Sequence, residues 1–204
     1  MDYTDIAFLG SATALDHAPV HDFPEFAFVG RSNCGKSSMI NCLVNRRNLA
    51  RVSGTPGHTK TLNFFEVNHQ YVLVDLPGYG FAARSRSESA TWKGMIESYL
   101  SERKALAMLI LLLDIRRPPD ERELLFLDWL TMKGIPAKLV LTKADKLSRN
   151  ERSRILAAHF KTPLVPLCFS AVTREGKEEL LQTIELARLQ WRPTQPPAPG
   201  RFHL

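Results

Sequence analysis

The sequence predicts an α/β fold: a three-layer sandwich built on a mostly parallel six-stranded sheet with one antiparallel edge strand. Three observations carry that prediction. Short uninterrupted apolar runs recur along the 204 residues, as strands buried on both faces of a parallel sheet require. Amphipathic stretches of helix length separate most of them, giving βαβ alternation. Two of the runs, TLNFFEV (61–67) and YVLVD (71–75), are separated only by Asn68, His69 and Gln70. That is hairpin spacing, and it makes one edge strand antiparallel.

The first strand is FAFV (26–29), and a helix over 35–47 follows it across GRSNCGKSS (30–38). After the hairpin, ESATWKGMIESYLSERK (88–104) places Trp92, Met95, Ile96, Tyr99 and Leu100 on one helical face. AMLILLLD (107–114) is a central strand. DERELLFLDWLTMKG (120–134) has acids in its first turn and Gly134 at its end, the start and stop signals of a helix. Strands AKLVLT (137–142) and LVPLCF (164–169) follow, with helices over about 148–160 and 173–189. Trp92 and Trp129 sit at helical spacing among apolar neighbours and read as packing residues. These elements make one domain over 25–191, preceded by an extension (1–24) that packs on it. The Pro-rich tail RPTQPPAPGRFHL ends the chain, and 192–204 is expected to be extended and poorly packed.

Composition narrows the class. With 44% apolar and 24% charged residues, the chain has the balance of a globular protein that needs no disulfides or metals to build a core. Its longest apolar run (105–113) is far short of the about 20 residues of a membrane span. The acids in MDYTDIAFLG argue against an export signal, and three cysteines without metal-ligand spacing suit a reducing cytoplasm. The net charge of +6 suits a polyanionic partner such as RNA.

GRSNCGKS fits G-x-x-x-x-G-K-[ST], with a strand before it and a helix after it. In that pattern Gly30 and Gly35 let backbone N–H groups of Arg31, Ser32, Asn33 and Cys34 converge on phosphate oxygens. Lys36 reaches the outer phosphates and Ser37 ligates Mg²⁺. The helix N-terminus favours the same anions. DLPGYG (75–80) ends a strand and offers Asp75 to the Mg²⁺ shell through water, followed by Leu76, Pro77 and Gly78, whose N–H is placed for a γ-phosphate. LTKADKL (141–147) ends another strand. The carboxylate of Asp145 can accept from both N1–H and the 2-amino group of guanine, donors that adenine lacks. FSA (169–171) ends the next strand, where the Ala171 N–H faces the guanine O6. DxxG and TKxD are each weak alone. In this order, each at the carboxyl end of a strand, they imply a GTP site.

The sequence resembles the bacterial ribosome-biogenesis GTP-binding protein family (EngB/YsxC/YihA type), within the TRAFAC class of P-loop GTPases. The residues that carry the likeness are GRSNCGKSSMIN (30–41), TPGHTKTLNFF (55–65), VDLPGYGFA (74–82), WKGMIESYL (92–100), DIRRPP (114–119), LTKADKL (141–147) and FSA (169–171). TPGHTKTLNFF and DLPGYGFA separate this family from a generic small GTPase. The resemblance implies a nucleotide cradle over 30–37 and Mg²⁺ on Ser37 and Thr59. It makes Gly57, His58, Thr59, Lys60 and Thr61 the first switch, and 75–78 the second. Thr142, Lys143, Ala144 and Asp145 become the base reader, supported by Phe169, Ser170 and Ala171. Lys36, Thr59 and Gly78 are the catalytic candidates. Two positions depart from the pattern: Arg117 stands where the family commonly carries His, and Ala171 where Ser is also common.

In Ras-like enzymes a Gln after the DxxG glycine orients the attacking water, whereas here the position is Tyr79, so slow intrinsic hydrolysis is expected. Asn33 is a candidate ligand for K⁺, since potassium-activated relatives use an Asn there to hold a cation beside the phosphates. Cys34 reads as a small residue that fits the loop, and His58 as a solvated loop residue. Arg46, Arg47, Arg51, Lys60, Arg84, Arg86 and Lys93 cluster near the switches and point to a docking face for ribosomal RNA. The expected function is a cytoplasmic, monomeric assembly factor of the large ribosomal subunit or its precursor, touching rRNA and ribosomal proteins. GTPases of tRNA modification or of cell division (septation) are the alternatives, and a small-molecule phosphotransferase is a weaker one.

Overall fold

The computed structural model describes residues 5–50, 61–79, 86–160 and 164–192, with the backbone alone for 86–92. In chain order the elements are β1 (Ile6–Ala12), β2 (Glu25–Gly30), α1 (Lys36–Leu43), β3 (Leu62–Val67), β4 (Tyr71–Asp75), α2 (Arg86–Glu102) and β5 (Leu106–Asp114). They continue as α3 (Glu121–Met132), β6 (Ala137–Thr142), α4 (Arg149–His159), β7 (Leu167–Cys168) and α5 (Lys177–Gln190).

The strands form one sheet in the order β1-β3-β4-β2-β5-β6-β7. Pairings from β4 to β7 are parallel, while β3 runs antiparallel to both β4 and β1. The β3–β4 hairpin turns on Asn68 and His69, which both adopt left-handed backbone at φ 51°. The sheet has seven strands, one more than the sequence pattern indicates. The additional strand, β1, covers the edge of β3 with a register shift between Phe8 and Gly10. IAFLGSA reads poorly as a strand because Gly and Ser interrupt its apolar residues, and an edge strand does not need them continuous. At the other edge, only Leu167 and Cys168 of the expected 164–169 strand pair with β6.

Side chains of each strand alternate between two cores. In β2, Ala27 and Val29 join Ile96, Tyr99 and Leu100 of α2 and Phe126, Leu127, Trp129 and Leu130 of α3. Phe26 and Phe28 face the opposite way, toward Met39, Ile40 and Leu43 of α1 and Leu180 and Ile184 of α5. Three layers result, as the βαβ alternation requires. Trp129 is buried and stacks on Phe126 at 5.9 Å between ring centroids. The side chain of Trp92 and the tail beyond 192 lie outside the described residues.

Helix α1 ends at Leu43, short of the expected 47, because Asn45 adopts left-handed backbone at φ 53°. Asn41 then fixes the next loop: its amide donates to Ala50 O and accepts from Ala50 N, both at 2.9 Å. Helix α3 opens with a capping box in which Asp120 Oδ1 accepts from Glu123 N at 3.0 Å and Glu123 Oε2 accepts from Asp120 N at 3.0 Å. Beneath the sheet, at the amino end of β2, the wholly buried Glu25 takes two hydrogen bonds from Arg103, at 3.0 Å from Nε and 2.6 Å from Nη2, and a third from Tyr99 at 2.7 Å. Burial works against the charge on Glu25, but hydrogen bonds from His21 and Arg103 bring its carboxyl below the usual range. The opposite end of the same strand is Gly30. The strand that opens the cradle is therefore anchored at its far end by a buried ion pair. No described helix is long and apolar enough to cross a membrane.

Candidate functional site

The chain runs to one side of β2 to form β4 and to the other side to form β5, so the strand order reverses at β2. Ligands of open α/β sheets bind at the carboxyl ends of strands beside such a reversal. Gly30, Asp75, Asp114, Thr142 and Cys168 end their strands on that edge.

The loop over 30–35 is wrapped tightly at this edge. A Cβ on Gly30 would lie 2.6 Å from Cys34 Sγ and 2.7 Å from Leu112 O, so only glycine fits. Gly35 adopts φ 100° and Asn33 φ 64°, the first easy for glycine and the second tolerated by Asn. Their left-handed turns lead the loop into the N-terminus of α1, where Lys36 and Ser37 stand in the first turn. Cys34 is buried, and burial pushes its thiol up to about 11, so it remains a neutral packing group rather than a reactive thiolate.

Segment 75–79 closes over this loop. Leu76 N donates to Phe28 O at 3.0 Å, Tyr79 N to Gly30 O at 3.2 Å, and Ser32 N to Tyr79 O at 3.0 Å. A Cβ on Gly78 would sit 3.2 Å from Gly30 O and 3.3 Å from Ser32 N, which accounts for the glycine. Lys36 Nζ pairs with Asp75 Oδ1, both side chains nearly out of solvent at 10% and 6% exposure.

The residues expected from the sequence to read the base form the other wall. Thr142 is buried, its hydroxyl 2.5 Å from Cys34 O. Lys143 adopts φ 60° and donates to Asn33 O at 2.7 Å, lacing this segment to the cradle. Asp145 Oδ1 accepts from Ser170 Oγ at 2.7 Å, and Ser170 Oγ in turn accepts from Val172 N at 3.2 Å and Thr173 N at 3.1 Å. The Ser170 hydrogen bond, the largest influence, holds the Asp145 carboxyl below its usual range. It is thus a charged acceptor at neutral pH. Ala144 N donates to Phe169 O at 3.1 Å, which joins the two motifs. A cleft of about 590 Å³ lies between these walls, lined among others by Gly35, Asn41, Thr142, Lys143, Asp145, Phe169 and Ala171.

Two further carboxylates border this site although the sequence analysis gave them no role there. Asp114 accepts from Arg116 Nε at 2.8 Å and Nη2 at 2.6 Å, and pairs with Lys143 Nζ at 2.9 Å. Burial opposes its charge, but Arg116 and Lys143 hold its carboxyl well below the usual range. Asp114 thereby fixes the lysine that borders the cleft. Asp120 accepts from Arg31 of the cradle at 3.2 Å. The first of these had a local signal in the acid–basic pattern of DIRRPP; the Arg31–Asp120 contact had none.

Gly57, His58, Thr59 and Lys60 lie outside the described residues, and Thr61 stands just before β3, half-buried, its hydroxyl 3.2 Å from Asn63 Oδ1. Of the basic cluster, Arg46 and Arg47 are exposed beside the cleft beyond α1, and Lys93 lies on α2 in the opposite layer. Arg51 and Arg84 lie outside the described residues, as does the side chain of Arg86.

Mg²⁺ takes hard oxygen ligands and usually keeps several waters, bound through one or two carboxylates and substrate phosphates. The chemistry here fits: one carboxylate (Asp75) and one hydroxyl (Ser37) flank the cradle.

A family model described as 50S ribosome-binding GTPase matches residues 25–143. The probable GTP-binding protein EngB of Syntrophomonas wolfei is 52% identical over 169 residues, covering 81% of this chain and 88% of that one. Its counterpart in Geotalea daltonii is 50% identical over 184 residues, covering 88% and 89%. A crystal structure of a probable GTP-binding protein engB superposes with a TM-score of 0.66 at 24% identity, over 82% of this chain and 100% of that one. The structure of Era in complex with MgGDPNP and nucleotides 1506–1542 of 16S ribosomal RNA shares the fold at TM-score 0.61 and 18% identity, over 88% of this chain and 60% of that one. With a family model over 25–143 and relatives at this level of identity over most of its length, the chain belongs to the EngB family of GTP-binding proteins and is a GTPase.

Proposed function

We propose that this GTPase cycles between GTP and GDP states and acts, as a cytoplasmic monomer, as an assembly factor for the large ribosomal subunit, with slow hydrolysis as its timer. The observation that carries this reading is the closure of segment 75–79 on the cradle: the position of that segment and the occupancy of the phosphate site are bound to affect each other. The 50S description of the matching family model and the net charge of +6 favour a ribosomal partner. Exposed Arg46 and Arg47 supply a basic rim beside the cleft for rRNA phosphates.

In this reading backbone N–H groups over 31–37 hold the α- and β-phosphates, and Lys36 leaves Asp75 to meet the outer ones. Asp145 and the Ala171 N–H select guanine, while the aliphatic stem of Lys143 shelters the base. Ser37 and Thr59 would hold Mg²⁺, with Asp75 acting through water, and a bound Mg²⁺ would supply positive charge against the phosphates. Thr59 and Gly78 meet the γ-phosphate, and losing that contact on hydrolysis frees the switches. Asn33, exposed at the rim, is the K⁺ ligand in this reading. Hydrolysis then runs faster in KCl than in NaCl, and equal rates would remove Asn33 from that role.

Reciprocity tests the coupling. If GTP strengthens subunit binding, the subunit must strengthen GTP binding by the same factor. Fluorescent-nucleotide titrations with and without purified large subunits are expected to show tighter binding of a non-hydrolysable GTP analogue but not of GDP. Equal effects on both nucleotides would contradict gating.

A further inference from the structure

A polar row interrupts the apolar face that the sheet turns toward α1. Ser11 of β1 pairs with Asn63 of β3, and Asn63 pairs with Asp75 of β4. Residues paired this way project from the same face of a sheet. Phe65 and Val67 of β3, with Tyr71 and Leu73 of β4, belong to the core on the α1 side. Alternation along each strand places Asn63 and Asp75 on that side too. Beyond Asp75 the row continues into Phe28 and Ile110, both apolar. Asn is disfavoured in strands, and β3, flanked by β1 and β4, completes its backbone pairing without any help from an amide side chain.

That amide is occupied elsewhere. Asn63 is half-buried, and its Oδ1 accepts from Ser11 Oγ at 2.6 Å and from Thr61 Oγ1 at 3.2 Å. Thr61 stands just before β3, and Asp75 ends β4, so the hairpin brings both to one end of the sheet. Lys36 of the cradle pairs with Asp75 at that end. In the proposed function Mg²⁺ draws on Asp75 and on Thr59, two residues upstream of Thr61. Thr59 lies outside the described residues. Two residues of chain span at most about 7 Å, so fixing Thr61 limits where Thr59 can reach.

We propose that Asn63 is a positioning residue of the Mg²⁺ site: by holding the Thr61 hydroxyl on the strand beside Asp75, it keeps the two sides of that site in register. It acts through Thr61 rather than on the ion or the nucleotide. Ser11 donates to the same oxygen from the other side, so the edge strand β1 supports the site without reaching it. The proposal rests on the assignment of Mg²⁺ to Ser37, Thr59 and Asp75, and adds to it the residue that aligns them.

The test is the MgCl₂ concentration that half-saturates retention of a fluorescent nucleotide on the full chain, measured for a non-hydrolysable GTP analogue and for GDP. Thr59 meets the γ-phosphate in the proposed function, so a fault in its placement weighs on the analogue more than on GDP. Thr61→Val keeps the shape of the side chain and removes its hydroxyl, while Asn63→Ala removes the acceptor. Losing this one hydrogen bond is expected to raise the analogue's midpoint about two- to tenfold relative to that for GDP in either variant. The double variant is expected to add nothing further, because both changes break the same bond. A loss of strand stability alone would move both midpoints together. An unchanged relative midpoint in Thr61→Val, or equal shifts for both nucleotides, would overturn the role of Asn63 while leaving the Mg²⁺ assignment intact. Retention by the parent chain that ignores MgCl₂ would overturn both.

Discussion

Replacing Asp145 by Asn tests the base reader at the atom that defines it. In the parent, Ser170 Oγ accepts from two backbone N–H groups and gives its one hydrogen to Asp145 Oδ1 at 2.7 Å. That fixed donor orients the substituted side chain as well, keeping the amide oxygen toward Ser170 and turning the NH₂ group to the position of Oδ2. Guanine then presents a donor to a donor. Two hydrogen bonds to a charged acceptor, each contributing about 1.5–3 kcal/mol, are weakened or lost. The expected fall in GDP affinity is about 10²- to 10⁴-fold. Xanthine carries a carbonyl in place of the 2-amino group, so XDP is expected to gain where GDP loses. Competition titrations with GDP, XDP and ADP measure all three. Retained GDP affinity, or no gain by XDP, would refute the assignment. The pH dependence has a definite sign. Protonation converts the acceptor to a neutral carboxyl, and the folded carboxyl sits below its usual range. Guanine affinity is therefore expected to hold as pH falls through about 4, the ordinary Asp value, and to drop only below it.

Three other changes probe the supports of the site. Lys36→Ala removes the main side-chain cation of the cradle and is expected to weaken GDP by at least about 10- to 150-fold in the same titration. Asp114→Asn loosens Lys143 from one of its two anchors, and about tenfold weaker nucleotide binding with an unchanged circular dichroism spectrum is expected. Arg103→Met strands the buried carboxylate of Glu25; the expected loss is about 3–5 kcal/mol, read as a fall in Tm of about 10 °C, with part recovered by adding Glu25→Gln. Because the Glu25 carboxyl is lowered on folding, its contribution is full above the unfolded pKa of about 4.3 and is lost as pH falls through the lower folded value, which acid denaturation measures.

What could be read in advance divides by distance along the chain. The cradle and the TKAD segment are contiguous, and their positions after strands follow from continuous apolar runs, so 30–37 and 142–145 were legible as soon as the strands were. The hairpin was legible because three polar residues separate two apolar runs. By contrast, Arg31 meets Asp120 across 89 residues, Tyr79 meets Glu123 across 44 and Arg103 meets Glu25 across 78. Each of these residues also has an innocent local role, as loop residue, helix cap or helix end, and local patterning gives no sign of the second partner. β1 escaped for another reason. An edge strand needs apolar residues on one face only, and Gly10 and Ser11 break what alternation remains. The basic cluster shows the limit of reading charge along a line: Arg46 and Lys93, near in the pattern of motifs, stand in opposite helical layers.

Co-sedimentation with ribosomal subunits tests the account most directly. The chain, loaded with a non-hydrolysable GTP analogue or with GDP, is spun through a cushion with purified small and large subunits and large-subunit precursors. The account predicts pelleting with the large subunit or its precursor in the GTP-like state and release in the GDP state. Pelleting that ignores the nucleotide, or no pelleting in either state, would contradict it.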